Sequence, residues 1–235
     1  MWLEAPLQSW GANSKYGRRS TMPFPTKSGI MGLLLSAMGK RGEQRELLAE
    51  FSNLDLQIEC YPRRSDRYSC ELEDFHMVGS GYDEIDPWET LFVPKKSDGT
   101  KPVGGGTKLT YRYYLQDMAF AAFIEVPEHL EDEICNALKN PVWTPYLGRK
   151  CCVPTEMIFK GTYSNPQECS KVSHELAELK NRICRTIILT GVHAEYDSSE
   201  TITINDVPVQ FGEIKLYKDR IVTVISENSD AENFS

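Results

Sequence analysis

The amino-acid sequence predicts an α+β protein built on an antiparallel sheet, with a long arm projecting from it. Residues 54–61 alternate strictly between apolar and polar side chains, which is typical of a strand. Residues 28–38 are apolar and rich in small side chains, which favours a helix packed closely on a sheet. Residues 79–108 contain six glycines and three prolines without lasting periodicity, which indicates a functional or irregular arm.

The elements before the arm follow in the order strand, helix, helix, strand, strand. Residues 1–4 predict the stub of a first strand, which the helix at 28–38 follows after a polar loop. Residues 44–51 predict a short amphipathic helix. The strand at 54–61 places Leu54, Leu56, Ile58 and Cys60 on one face. Residues 68–78 are predicted to form a second strand of the same sheet.

The arm at residues 79–108 lies between two predicted strands, so we interpret it as an extended hairpin. Residues 109–115 and 118–126 return to the sheet, and residues 128–139 form an amphipathic helix that Pro141 ends. Its apolar side chains face inward and its acids face outward. Residues 1–140 therefore approach the βαββαβ order of ferredoxin-like and RNA-recognition folds.

The chain after residue 140 is predicted to be a smaller β-rich part that begins with a basic loop and extends to residue 225. Its patterns indicate a polar helix, a strand and two paired strands, at residues 165–182, 186–190, 201–211 and 213–225. Residues 226–235 are polar and acidic, which predicts a disordered tail.

Charge and composition restrict the function classes. The formal net charge is −8, so any binding to a polyanion depends on local basic patches. Seven cysteines without CxxC spacing indicate reduced thiols, and we expect neither a metal nor a cofactor. The sequence lacks a long apolar run and a signal-peptide pattern, which predicts a soluble cytoplasmic protein that does not enter a membrane.

One basic patch occupies residues 5–42, which hold six basic residues and no Asp or Glu. Trp10, Tyr16 and Phe24 are interleaved with these charges and are candidates for stacking on bases. The patch leads into the helix start PFPTKSG, where Thr26, Lys27 and Ser28 follow two prolines. Free N–H groups at a helix start favour phosphate, and a lysine and a serine complete such a site. The alternative is an ordinary capped helix start.

Two further segments combine basic residues with turn-forming residues. The return side of the arm carries four lysines and Arg112 against one acid, and three consecutive glycines allow close approach of a ligand. The alternative there is a solvated flexible loop. Residues 140–154 place Tyr146, Arg149 and Lys150 on a loop bounded by prolines, which suits backbone and base contacts. The alternative is a tight turn that buries Trp143 and Tyr146.

Catalytic patterns are scarce. The chain has four histidines and lacks the HExxH, GxSxG and metal-type His/Cys/Asp motifs. His76 lies near the base of the arm, where a hydrogen-bonded role is favoured over catalysis.

Taken together, six segments resemble the CasD or Cas-five family of the RAMP superfamily, a subunit of the type I-E CRISPR complex Cascade. They fall in the family's order and spacing and read LEAPLQSWG, RRST, FPTKSGIMGLL, DFHMVG, YRYYLQDMAF and PYLGRKCCVP. The resemblance covers residues 3–154 well and the rest loosely. One departure is the first strand, which is fuller in the family than the four residues before Ala5.

The resemblance implies a ferredoxin-like palm with a β-hairpin thumb and a role in antiviral defence. Family members cap the 5′ handle of the CRISPR RNA, which they hold between palm and thumb without catalysis. They also join a CasC-type backbone subunit to a CasA-type large subunit, so target DNA is an indirect partner. The RNA-binding residues expected from the patches and the resemblance are Gln8, Trp10, Lys15, Arg18, Arg19, Thr26, Lys27, Ser28, His76, Lys101, Lys108, Tyr111, Arg112, Tyr146, Arg149 and Lys150.

Two other functions stay open at this point. The related type I-C subunit cleaves precursor RNA without metal and carries an adjacent Lys-His pair, which this sequence lacks. His76 with Tyr111 or Lys108 would be the alternative acid and base for such an endoribonuclease. A protein-interaction scaffold is the third class, and only the acidic composition favours it.

Overall fold

A computed structural model describes residues 1–11, 17–65, 70–78, 96–100, 108–193, 195–196 and 199–226 of the chain. The strands are β1 Trp2–Glu4, β2 Leu7–Gln8, β3 Arg18–Arg19, β4 Leu56–Tyr61, β5 Cys70–Val78, β6 Lys108–Gln116, β7 Ala119–Ile124, β8 Thr186–Thr190, β9 Ser199–Gln210 and β10 Leu216–Ser226. The helices are α1 Lys27–Ala37, α2 Arg45–Phe51, α3 Glu131–Lys139 and α4 Pro166–Leu179, with a 3₁₀ turn at Glu128–Leu130 before α3.

Six strands form one sheet in the order β1-β7-β4-β8-β10-β9, and every neighbouring pair is antiparallel. One face of the sheet carries the main core, which α1, α2 and α3 cover. The other face carries a smaller core, in which Ala177 of α4 packs near Trp2 and Tyr61. The sheet is therefore buried on both faces, which explains why β4 is buried at nearly every position.

A second sheet forms around β6, which pairs with β5 along one side and with β2 and β3 along the other. The pairing with β3 is parallel and the other two are antiparallel. The prediction that residues 68–78 join the same sheet as β4 is therefore wrong. The alternation of apolar and polar side chains shows which face of a strand is buried but not which strand pairs with it. Sequence periodicity therefore did not distinguish the two sheets.

Helix α1 is held closely against the N-terminal segment, as its small residues predict. The Thr26 side chain caps the helix by accepting from the Gly29 amide at 3.2 Å. A Cβ on Gly29 would lie 2.7 Å from the Trp10 ring, so the missing side chain makes room for that ring. The glycine therefore lowers helix propensity but permits the packing that stabilises the helix.

The later elements agree well with the sequence patterns. The strand at 186–190 has the predicted bounds, and the two last strands pair as predicted. In the helix near 128–139, the predicted inward residues Leu130, Ile134 and Leu138 are buried. Strands β8, β9 and β10 extend the first sheet, so the strands on both sides of residue 140 share one sheet. The predicted arm and tail lie mostly outside the described residues, and the domain division stays a prediction.

The free side of β1 is bonded to a segment that follows the basic loop. The Trp2 amide donates to the Ile158 carbonyl at 2.8 Å, and the Thr155 amide donates to the Glu4 carbonyl at 2.9 Å.

Of the helices in the described ranges, none is long and apolar enough to cross a membrane.

Candidate nucleic-acid interface

The edge of the second sheet carries two adjacent arginines. Strand β3 pairs Arg18 with Tyr111 and Arg19 with Arg112. Because successive side chains of a strand point to opposite faces, the two guanidinium groups flank this edge on either face. Arg18 donates to the Tyr113 hydroxyl at 3.1 Å and lies 5.6 Å from the centre of the Tyr111 ring. Both arginines are exposed.

The basic loop, which comprises residues 140–154, brings a third arginine to the same edge. Its backbone is held against the N-terminal segment, where the Ser9 amide donates to the Leu147 carbonyl at 3.2 Å. Gly148 adopts φ +91°, and Arg149 then donates from Nη2 to the Arg19 carbonyl at 2.7 Å. The Arg149 guanidinium lies over the Tyr114 ring at 4.5 Å, while its Nη1 has no hydrogen-bond partner in the described part of the chain.

An exposed apolar and aromatic surface lies on the Arg18 face of this sheet. The Phe75 and Tyr111 rings lie side by side with centroids 5.2 Å apart, and they are 53% and 37% exposed. Met77 and Leu109 pair directly beyond them and are also exposed. Exposed contiguous side chains of this type indicate a surface that binds another molecule.

The opposite face of the second sheet carries His76, whose Nε2 contacts the Asp74 carboxylate. His76 pairs with Thr110, whereas Tyr111 pairs with Phe75. The side chains of His76 and Tyr111 therefore point to opposite faces, so the structure does not bring them together.

Two residues expected to bind RNA are instead buried in the core. The Gln8 side chain is fully buried and donates to the carbonyls of Leu3 at 3.1 Å and Met118 at 2.7 Å. The Trp10 ring is 1% exposed, and its Nε1 donates to the Gln8 side-chain oxygen at 3.2 Å. The prediction that these side chains contact RNA therefore needs correction, because neither reaches the surface.

The predicted phosphate site at the start of α1 is filled by the protein's own carboxylate. The Lys27 amide donates to Asp206 Oδ2 at 2.7 Å, and Asp206 pairs with Arg220, whose Nε lies 2.7 Å from Oδ1. The predicted phosphate site is therefore corrected, because the anion at this helix start is the protein's own Asp206 carboxylate. Thr26 is the buried cap, and Ser28 Oγ lies 3.3 Å from its hydroxyl, as in the alternative of a capped helix start.

The Lys27 side chain is also structural. It is 1% exposed, and its ammonium donates to the carbonyls of Ser52 at 3.1 Å and Leu54 at 2.6 Å. Burial, followed by the nearby Arg220 charge, lowers the pKa of Lys27 to about 8. The predicted contact between this ammonium and RNA phosphate is therefore corrected as well.

The other predicted residues lie at or near the surface or outside the described part. Tyr146 and Lys150 are exposed on the basic loop, and Arg112 is half-buried in β6 opposite Asp74. Leu147 is the loop residue that packs into the core, whereas Trp143 stacks against the Arg41 guanidinium at 4.7 Å. Lys15, Lys101 and the Lys108 side chain lie outside the described residues.

Sequence reasoning missed two aromatic side chains of this interface. Phe75 neighbours Tyr111 on the exposed face, and Tyr114 supports the Arg149 guanidinium from the other face. Alternation along 70–78 places Phe75 and Met77 on the same face as Glu71 and Glu73. Two apolar residues on an acidic face were the signal in the sequence that this surface has a partner.

The fold and this edge define a mixed α+β protein of largely antiparallel sheets with a basic and aromatic surface on the smaller sheet. The chain belongs to a family of CRISPR-associated proteins. The family model described as CRISPR-associated protein (Cas_Cas5) matches residues 1–223, which confirms the family predicted from the sequence motifs.

Comparisons with individual proteins agree with this assignment. The chain is 32% identical over 175 residues to the CRISPR system Cascade subunit CasD of Escherichia coli (strain K12), covering 71% of this chain and 72% of the relative. A chain of a solved CRISPR RNA-guided surveillance complex aligns with a TM-score of 0.71 and 26% identity, over 96% of this chain and 88% of that one. A crystal structure of a Cas protein shares the fold, with a TM-score of 0.60 and 23% identity over 96% and 92% of the two chains.

Proposed function

We propose that this chain is a non-catalytic RNA-binding subunit of a Cascade-type CRISPR surveillance complex. Its role is to hold the 5′ handle of the CRISPR RNA and to bridge a CasC-type backbone subunit and a CasA-type large subunit. Family membership supports the proposal, as do a relative that is named a Cascade subunit and a structural relative in a surveillance complex.

The observation that carries the proposal is the meeting of Arg18, Arg19 and Arg149 at one sheet edge. Among the described residues, no carboxylate forms an ion pair with any of the three. Three guanidinium groups without a carboxylate partner in that part of the chain give this edge a local positive potential in a protein of net charge −8. RNA phosphates supply that anion, and arginine is suited to bind them through two parallel hydrogen bonds.

The topology supports a ferredoxin-like palm of the RAMP type. Strands β1, β7 and β4 are adjacent in that order, and a helix follows the first strand and the strand that ends at Ile124. This arrangement corresponds to the first, third and second strands of a βαββαβ unit. The segment from Thr155 to Ile158 takes the place beside β1 where the fourth strand is expected. The predicted thumb lies mostly outside the described residues and stays part of the proposal.

The exposed aromatic pair Phe75 and Tyr111 gives this edge a second way to bind single-stranded RNA. Bases stack on such rings, and each stacked base contributes about 1–3 kcal/mol. Arg18 lies 5.6 Å from the centre of the Tyr111 ring, which supports its proposed role as a phosphate contact beside a stacked base. Phosphate contacts fix the register of the strand, whereas the stacked bases hold it on the sheet.

Replacing Arg18, Arg19 and Arg149 together by alanine is expected to weaken binding of a repeat-derived RNA handle. Each lost phosphate contact should flatten the dependence of log affinity on log salt by roughly 0.7, so the slope should fall by about 2. Fluorescence anisotropy with labelled RNA at several salt concentrations measures the affinity and the slope. Assembly with the other subunits is expected to decline in parallel.

The matched control removes three exposed basic residues of the same charge elsewhere, namely Arg45, Lys171 and Lys215. That variant changes the net charge equally, so it isolates the position of the charges from their number. The proposal fails if the interface variant binds RNA and assembles as the wild type does, or if the control loses as much affinity.

The isolated chain is expected not to cleave repeat RNA, either without metal or with Mg²⁺. Of the two pairs considered for acid–base catalysis, His76 and Tyr111 point to opposite faces of the sheet, which supports this expectation. The other pair is His76 with Lys108, whose side chain lies outside the described residues. Denaturing gels of end-labelled repeat RNA measure cleavage, with a chemically hydrolysed ladder as the size control. A discrete product that disappears in His76→Ala would instead establish a type I-C-like endoribonuclease.

A further inference from the structure

We propose that Glu59, His174 and Cys184 form a zinc-binding site on the face of the six-stranded sheet that α4 covers. One ligand atom of each residue, a carboxylate oxygen, a ring nitrogen and a sulfur, lies within 4.8 Å of the other two. Imidazole, thiolate and carboxylate are the ligands that Zn²⁺ takes in proteins. The site involves neither the basic edge nor the aromatic surface of the smaller sheet.

The Glu59 carboxylate is the strongest argument for a cation. Glu59 is fully buried, and its carboxylate accepts from the Tyr61 hydroxyl at 2.5 Å and from the side-chain amide of Gln57 at 3.1 Å. Within the described ranges no Lys or Arg pairs with Glu59, and neutral donors alone do not neutralise a buried charge.

The other two ligands are held beside Glu59 by separate elements. His174 lies on α4, where its ring meets the Tyr61 ring edge-on at 5.8 Å. Cys184 follows a segment that is bonded along the end of β4. There Ile183 donates to the Pro62 carbonyl at 3.2 Å and Arg185 donates to the Cys60 carbonyl at 3.0 Å. The backbone therefore fixes the sulfur next to the sheet.

The geometry suits a site of three protein ligands with a fourth position for water. Ligands bond to zinc at about 2.0–2.3 Å, so side-chain movements on the order of 1 Å would bring all three to one ion. His174 is exposed, which gives the ion an entry path from solvent. A bound ion would connect β4, α4 and the segment before β8, and so fasten α4 to the sheet.

Metal content of the tag-free, full-length chain tests the proposal. Protein treated with a chelator, loaded with Zn²⁺ and passed through gel filtration is expected to retain one equivalent of zinc. His174→Ala and Cys184→Ser should weaken zinc binding about tenfold or more, because loss of even an outer-shell partner costs that much. With Co²⁺ as the probe, the wild type should show a thiolate-to-cobalt absorption band that Cys184→Ser abolishes.

Two substitutions outside the cluster serve as matched controls. His129 is an exposed histidine that pairs with Glu50 at 3.1 Å, and Cys135 is a half-buried cysteine of α3. His129→Ala and Cys135→Ser should bind zinc as the wild type does. Hydrogen exchange of the α4 amides should slow with Zn²⁺ in the wild type and not in His174→Ala, and RNA binding should be equal in both proteins.

The proposal is overturned if the wild type retains no stoichiometric zinc, or if His174→Ala retains as much as the wild type. Persistence of the cobalt–thiolate band in Cys184→Ser would also overturn it. Because the His174 side chain is exposed, its alanine variant is expected to fold, and it decides the question if Cys184→Ser does not fold.

Discussion

Replacing Asp206 by alanine is expected to lower the free energy of unfolding by about 3–5 kcal/mol. Asp206 is 4% exposed, and its carboxylate accepts from Arg220 Nε at 2.7 Å and Nη2 at 3.0 Å and from the Lys27 amide at 2.7 Å. The substitution leaves the Arg220 guanidinium buried without a carboxylate. It also leaves an N-terminal amide of α1 without an acceptor, which adds a desolvation cost. Urea unfolding measures the loss.

The control is Asp219→Ala, which removes an exposed aspartate of the neighbouring strand and should change stability by no more than about 0.5 kcal/mol. A double variant, Asp206→Ala with Arg220→Met, should lose less than the sum of its single variants, because the stranded charge is then absent. If Asp206→Ala lowers the free energy of unfolding no more than Asp219→Ala does, the buried pair does not stabilise α1.

This ion pair also shows where sequence reasoning stopped. The pattern PFPTKSG predicted either a phosphate site or a capped helix start, because capping and free amides are local properties. The anion itself is Asp206, a residue of β9 that lies 179 positions from Lys27. Nothing local in the sequence distinguishes an anion site filled from within from one open to RNA.

The aromatic residues of the basic segment illustrate the same limit. Trp10 and Gln8 stand among basic residues, as base-stacking and base-bonding side chains do, yet both are buried. The burial of Trp10 depends on the absence of a side chain at Gly29, which lets α1 approach the Trp10 ring. Tyr111 also lies near basic residues and is exposed, because its side chain stands on the open face of the second sheet, whereas Tyr114 of the same strand is buried on the other face. The face that each side chain takes, which depends on long-range packing, therefore decided which aromatic side chain reaches the surface.

Elements with a strong local pattern were predicted well. The inward face of the helix near 128–139 and the strand at 186–190 both follow from periodicity alone. The proposed zinc site is the opposite case. Glu59, His174 and Cys184 come from a strand, a helix and a connecting segment, so no metal-ligand spacing exists in the sequence.

Replacing Gly148 by alanine is expected to disturb both the stability of the fold and the placement of Arg149. A Cβ at this position would lie 1.6 Å from the Ser9 carbonyl oxygen, and the backbone adopts φ +91°. The backbone conformation costs a non-glycine residue about 1–3 kcal/mol, and overpacking against a backbone atom costs about 1–3 kcal/mol more. The loop must therefore move away from Ser9, which breaks the bond from the Ser9 amide to the Leu147 carbonyl.

The chain provides a matched control for this prediction in Gly42, which adopts φ +83° with no atom within 4 Å of its Cβ position. Gly42→Ala pays the backbone cost without the clash, so the difference between the two variants in urea unfolding isolates the close approach to Ser9. Because Arg149 follows Gly148 directly, Gly148→Ala should also lower affinity for the RNA handle, whereas Gly42→Ala should not. Equal stability and equal RNA affinity in the two variants would show that contact with Ser9 does not position the basic loop.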